Sequence, residues 1–305
     1  MTGFRTVIFV LCCLFLSLNA AAAVQGGIRW QTLEPGLDLA RVTVTFTPSS
    51  PAPSPPTSAD DGGGTSPLTG PQEATTTILR IDPEKFTFSL YMASEQGPKT
   101  LGQIGTSENF VAAINAGMFQ RDGVTNTGYL RSRSHTNNGH VAANFGAFFV
   151  ARPEKDGLPQ ARLLDKHADD WETALRHYGL VMQNYRMTAP DGRVIWKQAD
   201  RLHSVAALSQ DTKGNILFLL CPSPVPAADY MAALLRLPLG IGVVMYLEGG
   251  SEAALLINAG GINAVEAGRH TSGLWSGSAS LMLPNVLGVR RRAEPGSAPS
   301  VEAVP

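Results

Sequence analysis

Between Val243 and Glu252 the chain reads VVMYLEGGSE, an apolar run followed by a glycine pair and polar side chains. This order is typical of a buried strand whose end exposes polar groups at the edge of a sheet. A second stretch, FVAAINAGMF from Phe110 to Phe119, has the same arrangement. Glycine permits close approach of a ligand, while Glu248 and Asn115 offer directed side chains. The two stretches predict one polar sheet edge, and a tight turn with a capping Asn115 or a solvated Glu248 is the alternative interpretation.

Strand-like runs continue on both sides of these two stretches and outnumber the helical patterns. Further strands are predicted at 42–47, 75–81, 86–91, 147–151, 204–209, 215–221, 253–257 and 278–283. Helical patterns occur at 101–106, 169–177 and 227–237. Because helices are too few for strict βαβ alternation, the sequence predicts an α+β fold with a mixed β-sheet core and a few covering helices.

The N-terminus has the residue order of a secretion signal. Arg5 precedes an apolar run from Val7 to Leu18, and small residues continue to Ala23. The run is shorter than the roughly 20 residues that span a bilayer, although a retained anchor is the alternative. We therefore predict a signal peptide at residues 1–23, an exported protein that is periplasmic or secreted, and no stable membrane span after cleavage.

The rest of the chain predicts one domain, residues 24–289. Residues 48–74 are rich in Pro, Ser, Thr and Gly, so this segment is expected to be a disordered insertion within one loop. The tail 290–305 is expected to be disordered as well. After signal cleavage Cys221 is the only cysteine, and its place at the end of an apolar run indicates a buried, unreactive thiol.

Composition and motifs exclude several classes of protein. The 305 residues carry 24 Lys and Arg against 25 Asp and Glu, a net charge of −1, so the chain lacks the basic excess of a nucleic-acid binder. It also lacks a phosphate-binding P-loop, an HExxH or CxxC motif and a strand-linked GxGxxG. The six histidines have no helical metal-ligand spacing. We therefore expect no nucleic-acid partner, no metal site and no cofactor.

Three further groups of polar residues are candidates for binding. A strand would place Arg201 and His203 on one face, where they could hold a phosphate or equally be solvated. Gln183 and Asn184 follow a short apolar run and are either site residues or ordinary loop residues. His135, with the neighbouring His140, lies in a polar loop that either faces substrate or is solvated.

The order of these motifs along the chain resembles the phosphodiester glycosidase family, over roughly Thr75 to Leu283. The motifs are NAGMF from Asn115 to Phe119, NFGAFF from Asn144 to Phe149, GLVM from Gly179 to Met182, HSVAA from His203 to Ala207 and YLEGGS from Tyr246 to Ser251. The chain differs from the family pattern at Glu248, where the family has Asp, and at His203, where it often has Arg.

The resemblance implies a hydrolase that cleaves the glycosidic bond of a sugar 1-phosphodiester, acting on a small molecule or a glycan. It implies catalytic roles for Glu248, His203 and Asn115, with Glu252 or Asp122 as the second carboxylate. The substrate-binding residues that it implies are Gly117, Arg201, Gln183, Asn184, Gly249, Gly250 and Ser251. Two alternatives remain open: a non-catalytic carbohydrate- or anion-binding protein of the cell envelope on the same fold, and a structural or interaction protein tethered by its insertion and tail.

Overall fold

The computed structural model describes residues 22–25, 27–49, 70–133, 135–196, 202–269 and 281–293. Most of the predicted signal peptide, the middle of the predicted insertion, Arg201 and the end of the predicted tail lie outside these residues. The strands are β1 (Ala22–Gln25), β2 (Ile28–Glu34), β3 (Leu37–Phe46), β4 (Gln72–Ile81), β5 (Phe86–Met92), β6 (Lys99–Thr100), β7 (Ala112–Asn115), β8 (Leu130–Arg131), β9 (Thr136–Asn138), β10 (Ala147–Pro153), β11 (Ala161–Asp165), β12 (Tyr178–Asn184), β13 (Leu202–Asp211), β14 (Ile216–Pro226), β15 (Ile241–Glu248), β16 (Ala254–Ala259), β17 (Ile262–Ala267), β18 (Met282–Leu283) and β19 (Asn285–Arg291). The helices are α1 (Ala93–Gln96), α2 (Leu101–Ser107), α3 (Trp171–His177) and α4 (Ala227–Leu234), with a 3-10 turn at Gly250–Glu252.

Most of the strands form three sheets. The large sheet has the order β1-β2-β3-β4-β14-β13-β15, the second sheet β11-β10-β12-β8-β9 and the third sheet β17-β16-β7-β19-β5, while β18 pairs with β6. The predicted α+β class, with a sheet core and few helices, is confirmed. Among the described strands the pairs for which a register is defined are antiparallel, so the predicted mixture of directions is not observed there. The connections between these strands are hairpins and crossovers, which are compatible with antiparallel pairing.

One apolar core lies between the three sheets. Phe218 of the large sheet, Phe149 of the second sheet and Ile114 of the third are fully buried in it. The ring of Phe88 contacts the Phe149 ring edge to face, with centroids 5.2 Å apart. Burial of this surface fixes the sheets against one another, because apolar area removed from water is the main favourable term in folding.

Each sheet also carries a helix on its outer face, as amphipathic helices do when they cover a sheet. Met231 of α4 packs on the large sheet, Ile104 of α2 on the third, and Trp171 of α3 stacks on Phe148 of the second. Helix α2 begins with a capping box, in which Thr100 and Gln103 bond each other's backbone N–H groups. None of the helices in the described ranges is long and apolar enough to span a membrane.

The ordered domain extends beyond the boundaries predicted from composition. Strand β4 begins at Gln72, inside the predicted insertion, because it pairs with β3 as far as Phe46. Strand β19 continues to Arg291, inside the predicted tail, because it pairs with β5 as far as Phe86. Cys221 is buried, as predicted, and burial raises the pKa of its thiol to about 12.

Candidate functional site

The three sheets meet at the ends of β7, β12 and β15, which carry Asn115, Asn184 and Glu248. The Asn184 side-chain N–H donates to the Leu247 carbonyl oxygen at 3.1 Å, which joins the ends of β12 and β15. The turn after β7 packs on the same side chain, because a Cβ atom at Gly117 would lie 2.7 Å from the Asn184 nitrogen. Within the third sheet, the Asn115 side-chain oxygen accepts from the N–H of Ala254, at the start of β16, at 3.2 Å. The structure therefore brings the two sequence stretches singled out above into one place, although they lie more than a hundred residues apart.

Gly117 allows the turn after β7 to pack directly on buried asparagines. Its φ is +102°, a conformation that L side chains rarely adopt. A Cβ atom at this position would lie 2.7 Å from the Asn184 side-chain nitrogen and 3.1 Å from the Asn126 side-chain oxygen. Glycine is thus required here both for the turn and for the close approach.

Beside this turn, two side-chain amides each have one buried atom without a hydrogen-bond partner in the described part of the chain. These atoms are the side-chain nitrogen of Asn115 and the side-chain oxygen of Asn126. Such a buried polar atom costs about 1–3 kcal/mol, so proteins usually satisfy it with water or a ligand. The turn therefore offers one unused donor and one unused acceptor at the meeting point of the sheets.

A pair of glutamates lies at the turn after β15. Burial, together with the charge of Glu252, raises the pKa of Glu248 to about 8, although the Gly249 N–H opposes the shift. Glu252 in turn accepts a hydrogen bond from the Ser251 hydroxyl at 2.9 Å. Glu248 therefore holds its proton near neutral pH, which is unusual for a carboxyl group and typical of functional sites.

His203 flanks the same turn from strand β13. A Cβ atom at Gly249 would lie 3.0 Å from the His203 Cβ and 2.7 Å from the Ser204 carbonyl oxygen. The Ser204 hydroxyl donates to the Gly250 carbonyl oxygen at 2.7 Å, which fixes the turn on the strand. His203 thus lies directly beside the turn at Gly249. Arg201 lies outside the described residues.

Gln183 is buried in β12, not in a loop, and its amide is occupied. It donates to the carbonyl oxygens of Ala142 and Phe145 and accepts from the N–H groups of Ala142 and Tyr129. These bonds hold the loop that precedes β10. A substrate-binding role for Gln183 stays a prediction.

The remaining candidates, Asp122 and His135, are hydrogen-bonded within their own loops or to nearby residues. Asp122 accepts hydrogen bonds from Val124 and Thr125, which lower the pKa of its carboxyl group. Of the two proposed second carboxylates, Glu252 is the one whose charge raises the pKa of Glu248. His135 hydrogen-bonds the Ser94 hydroxyl at 2.9 Å on the exposed side of its loop.

Sequence reasoning missed Asn126 and Tyr246. Tyr246 was treated as part of an apolar run, yet a Cβ atom at Gly249 would lie 2.6 Å from its hydroxyl oxygen. No local pattern marks Asn126, whose role depends on the packing of Gly117.

Comparisons with known proteins agree with this architecture. A family model described as phosphodiester glycosidase matches residues 108–290, more than half of the chain. The structure is similar to the zebrafish N-acetylglucosamine-1-phosphodiester alpha-N-acetylglucosaminidase catalytic domain auto-inhibited by pro-peptide, with a TM-score of 0.54, 13% identity and coverage of 85% of each chain. It is also similar to a hypothetical protein from Synechocystis, with a TM-score of 0.53 and 14% identity over 87% of this chain. That match spans 64% of the Synechocystis chain. No curated protein matches the sequence.

Proposed function

Because the chain belongs to the phosphodiester glycosidase family, we propose that it hydrolyses the bond between the anomeric carbon of a sugar and a phosphodiester. The substrate is a small molecule or glycan that carries such a linkage. We further propose that the protein acts after export, in the periplasm or outside the cell. The observation that carries the proposal is the paired Glu248 and Glu252 beside His203 and the Asn115 turn.

In the proposed reaction, the two glutamates divide the work of a glycosidase. Water attacks the anomeric carbon, the glycosidic carbon–oxygen bond breaks, and its electrons remain on the phosphate oxygen. Glu248, which burial keeps protonated near neutral pH, donates its proton to that oxygen. Glu252 accepts the proton of the attacking water. The products are a free sugar and a phosphate monoester.

Hydrogen-bond donors hold the phosphoryl oxygens in this proposal. The backbone N–H of Gly250 and the side chain of His203 supply them, because such donors suit oxygen anions. A protonated Glu248 favours binding, since it does not repel the phosphoryl charge. The Asn115 side-chain nitrogen, which has no partner among the described residues, donates to the substrate.

The test is turnover of sugar 1-phosphodiesters by the protein purified after export, beside the matching simple glycosides. We expect cleavage of the phosphodiesters, and loss of at least about a hundredfold in kcat for Glu248→Gln. His203→Ala should weaken binding of phosphate-bearing substrates more than binding of neutral sugars. Saturable binding of the phosphodiester without cleavage would overturn hydrolysis and favour a carbohydrate-binding protein. Absence of both would reject the proposed substrate class.

A further inference from the structure

We propose that the Tyr246 hydroxyl donates a hydrogen bond to a non-bridging phosphoryl oxygen of the substrate. The inference rests on the proposed function and adds a residue that neither the motifs nor the comparisons assign. It makes Tyr246 a determinant of specificity for phosphate-bearing substrates over neutral glycosides.

The first support is the position of the hydroxyl. A Cβ atom at Gly249 would lie 2.6 Å from the Tyr246 hydroxyl oxygen and 3.0 Å from the His203 Cβ. The Tyr246 hydroxyl therefore packs directly on Gly249, the residue that follows Glu248, and His203 lies beside it on the neighbouring strand β13. The hydroxyl also lies close enough to Glu248 and Glu252 for their charges to act on it, so it stands beside the carboxyl group proposed to donate the proton.

The second support is that the phenol ring is held in place. Tyr246 is 6% exposed, and its ring packs on Trp196 with centroids 4.8 Å apart. Trp196 contacts Tyr185 edge to face at 5.6 Å, and Tyr185 contacts Phe145 at 4.3 Å. A donor fixed by packing loses little entropy when it binds, which favours a defined contact with substrate.

The third support is that the hydroxyl is available as a donor. Within the described ranges no backbone or side-chain group hydrogen-bonds to it. Burial and the charges of Glu248 and Glu252 raise the pKa of Tyr246. The phenol consequently stays protonated across the working range of pH, and a neutral O–H donor adds no negative charge beside the glutamates.

The experiment compares Tyr246→Phe with Tyr185→Phe as a matched control. Both variants lose one hydroxyl from the same run of aromatic rings and keep the ring, but only Tyr246 has its hydroxyl at Gly249. The readouts are kcat/KM on a sugar 1-phosphodiester, the inhibition constant of inorganic phosphate, and the unfolding midpoint. A hydrogen bond to a charged group corresponds to a change of about tenfold or more in affinity.

We expect Tyr246→Phe to lose about tenfold or more in kcat/KM and in affinity for phosphate, with an unchanged unfolding midpoint, while Tyr185→Phe matches the wild type. Equal phosphate affinity in wild type and Tyr246→Phe would overturn the inference and leave the proposed hydrolysis intact. If the wild type does not turn over, calorimetric titration with inorganic phosphate still tests Tyr246. Wild-type phosphate binding that Tyr246→Phe weakens would then support the contact although the proposed function had failed.

Discussion

Asn184 donates its side-chain N–H to the carbonyl oxygen of Leu247, the residue immediately before Glu248. The bond joins the second sheet to the large sheet across 63 positions of sequence. Both residues are fully buried, so water cannot replace the bond. The end of β15, and with it the turn at Gly249, is consequently positioned by a side chain that belongs to another sheet.

We expect Asn184→Ala to lower the free energy of unfolding by about 1–3 kcal/mol, because the buried Leu247 carbonyl loses its side-chain donor. Turnover should fall as well, since the turn that carries Glu248 becomes less well fixed. Asn258→Ala is the control: it removes a similar N–H bond, to the Phe110 carbonyl at 3.2 Å, away from the turn. Urea unfolding and kcat/KM are measured for both variants. Equal losses of activity in both would contradict a positioning role for Asn184.

Gly249→Ala should inactivate the protein and destabilise it by about 1–3 kcal/mol through overpacking. Its Cβ would lie 2.7 Å from the Ser204 carbonyl oxygen, a backbone atom that cannot rotate away. Gly242→Ala, in the strand β15 that precedes Gly249, is the control, because its nearest neighbour lies at 3.8 Å. Thermal unfolding and turnover are compared. A Gly249→Ala protein as active as the control would show that the close packing is not needed.

Glu248→Gln should make stability less dependent on pH. The folded-state pKa of Glu248 is about 8, above the value near 4.5 in the unfolded chain, so its contribution to stability is complete below about pH 4.5 and is lost as pH rises to about 8. Glutamine cannot ionise, so the variant does not lose stability in this way. Urea unfolding between pH 4 and 9 should show that the free energy of unfolding of the variant increases relative to that of the wild type as pH rises. Parallel curves would mean that Glu248 ionises normally.

Glu252→Gln should lower the pKa of Glu248, because one of the two causes of its rise is the charge of Glu252. Burial is the larger cause, so the pKa should remain above the ordinary value for Glu. An NMR titration of the glutamate carboxyl carbons follows this directly, without relying on activity. Glu95→Gln, at an exposed helical position, is the control and should leave Glu248 unchanged. A Glu248 titration that is the same in all three proteins would exclude coupling between the glutamates.

Local patterns were sufficient for much of the fold. Apolar runs at 86–91, 147–151 and 215–221 coincide with strands, because an apolar strand is buried wherever it pairs in this core. Helix 101–106 was found from its local pattern, and the structure adds the capping box at Thr100. For Gln183 and Asn184, the polar residues that end strand β12, the sequence left open whether they are site residues or ordinary loop residues. Their amides are satisfied by partners distant in sequence, and no local pattern reveals that.

For the site, local sequence was sufficient to predict where polar groups follow buried strands, since the glycine turns at Gly117 and Gly249 are local features. The packing of the sheets brings these turns together, sets the charge of Glu252 against a buried Glu248, and places the Tyr246 hydroxyl on Gly249. The physical reason is that burial, charge coupling and close packing depend on distances between sheets. Those distances are set when the common core forms, not by the order of residues along any one strand.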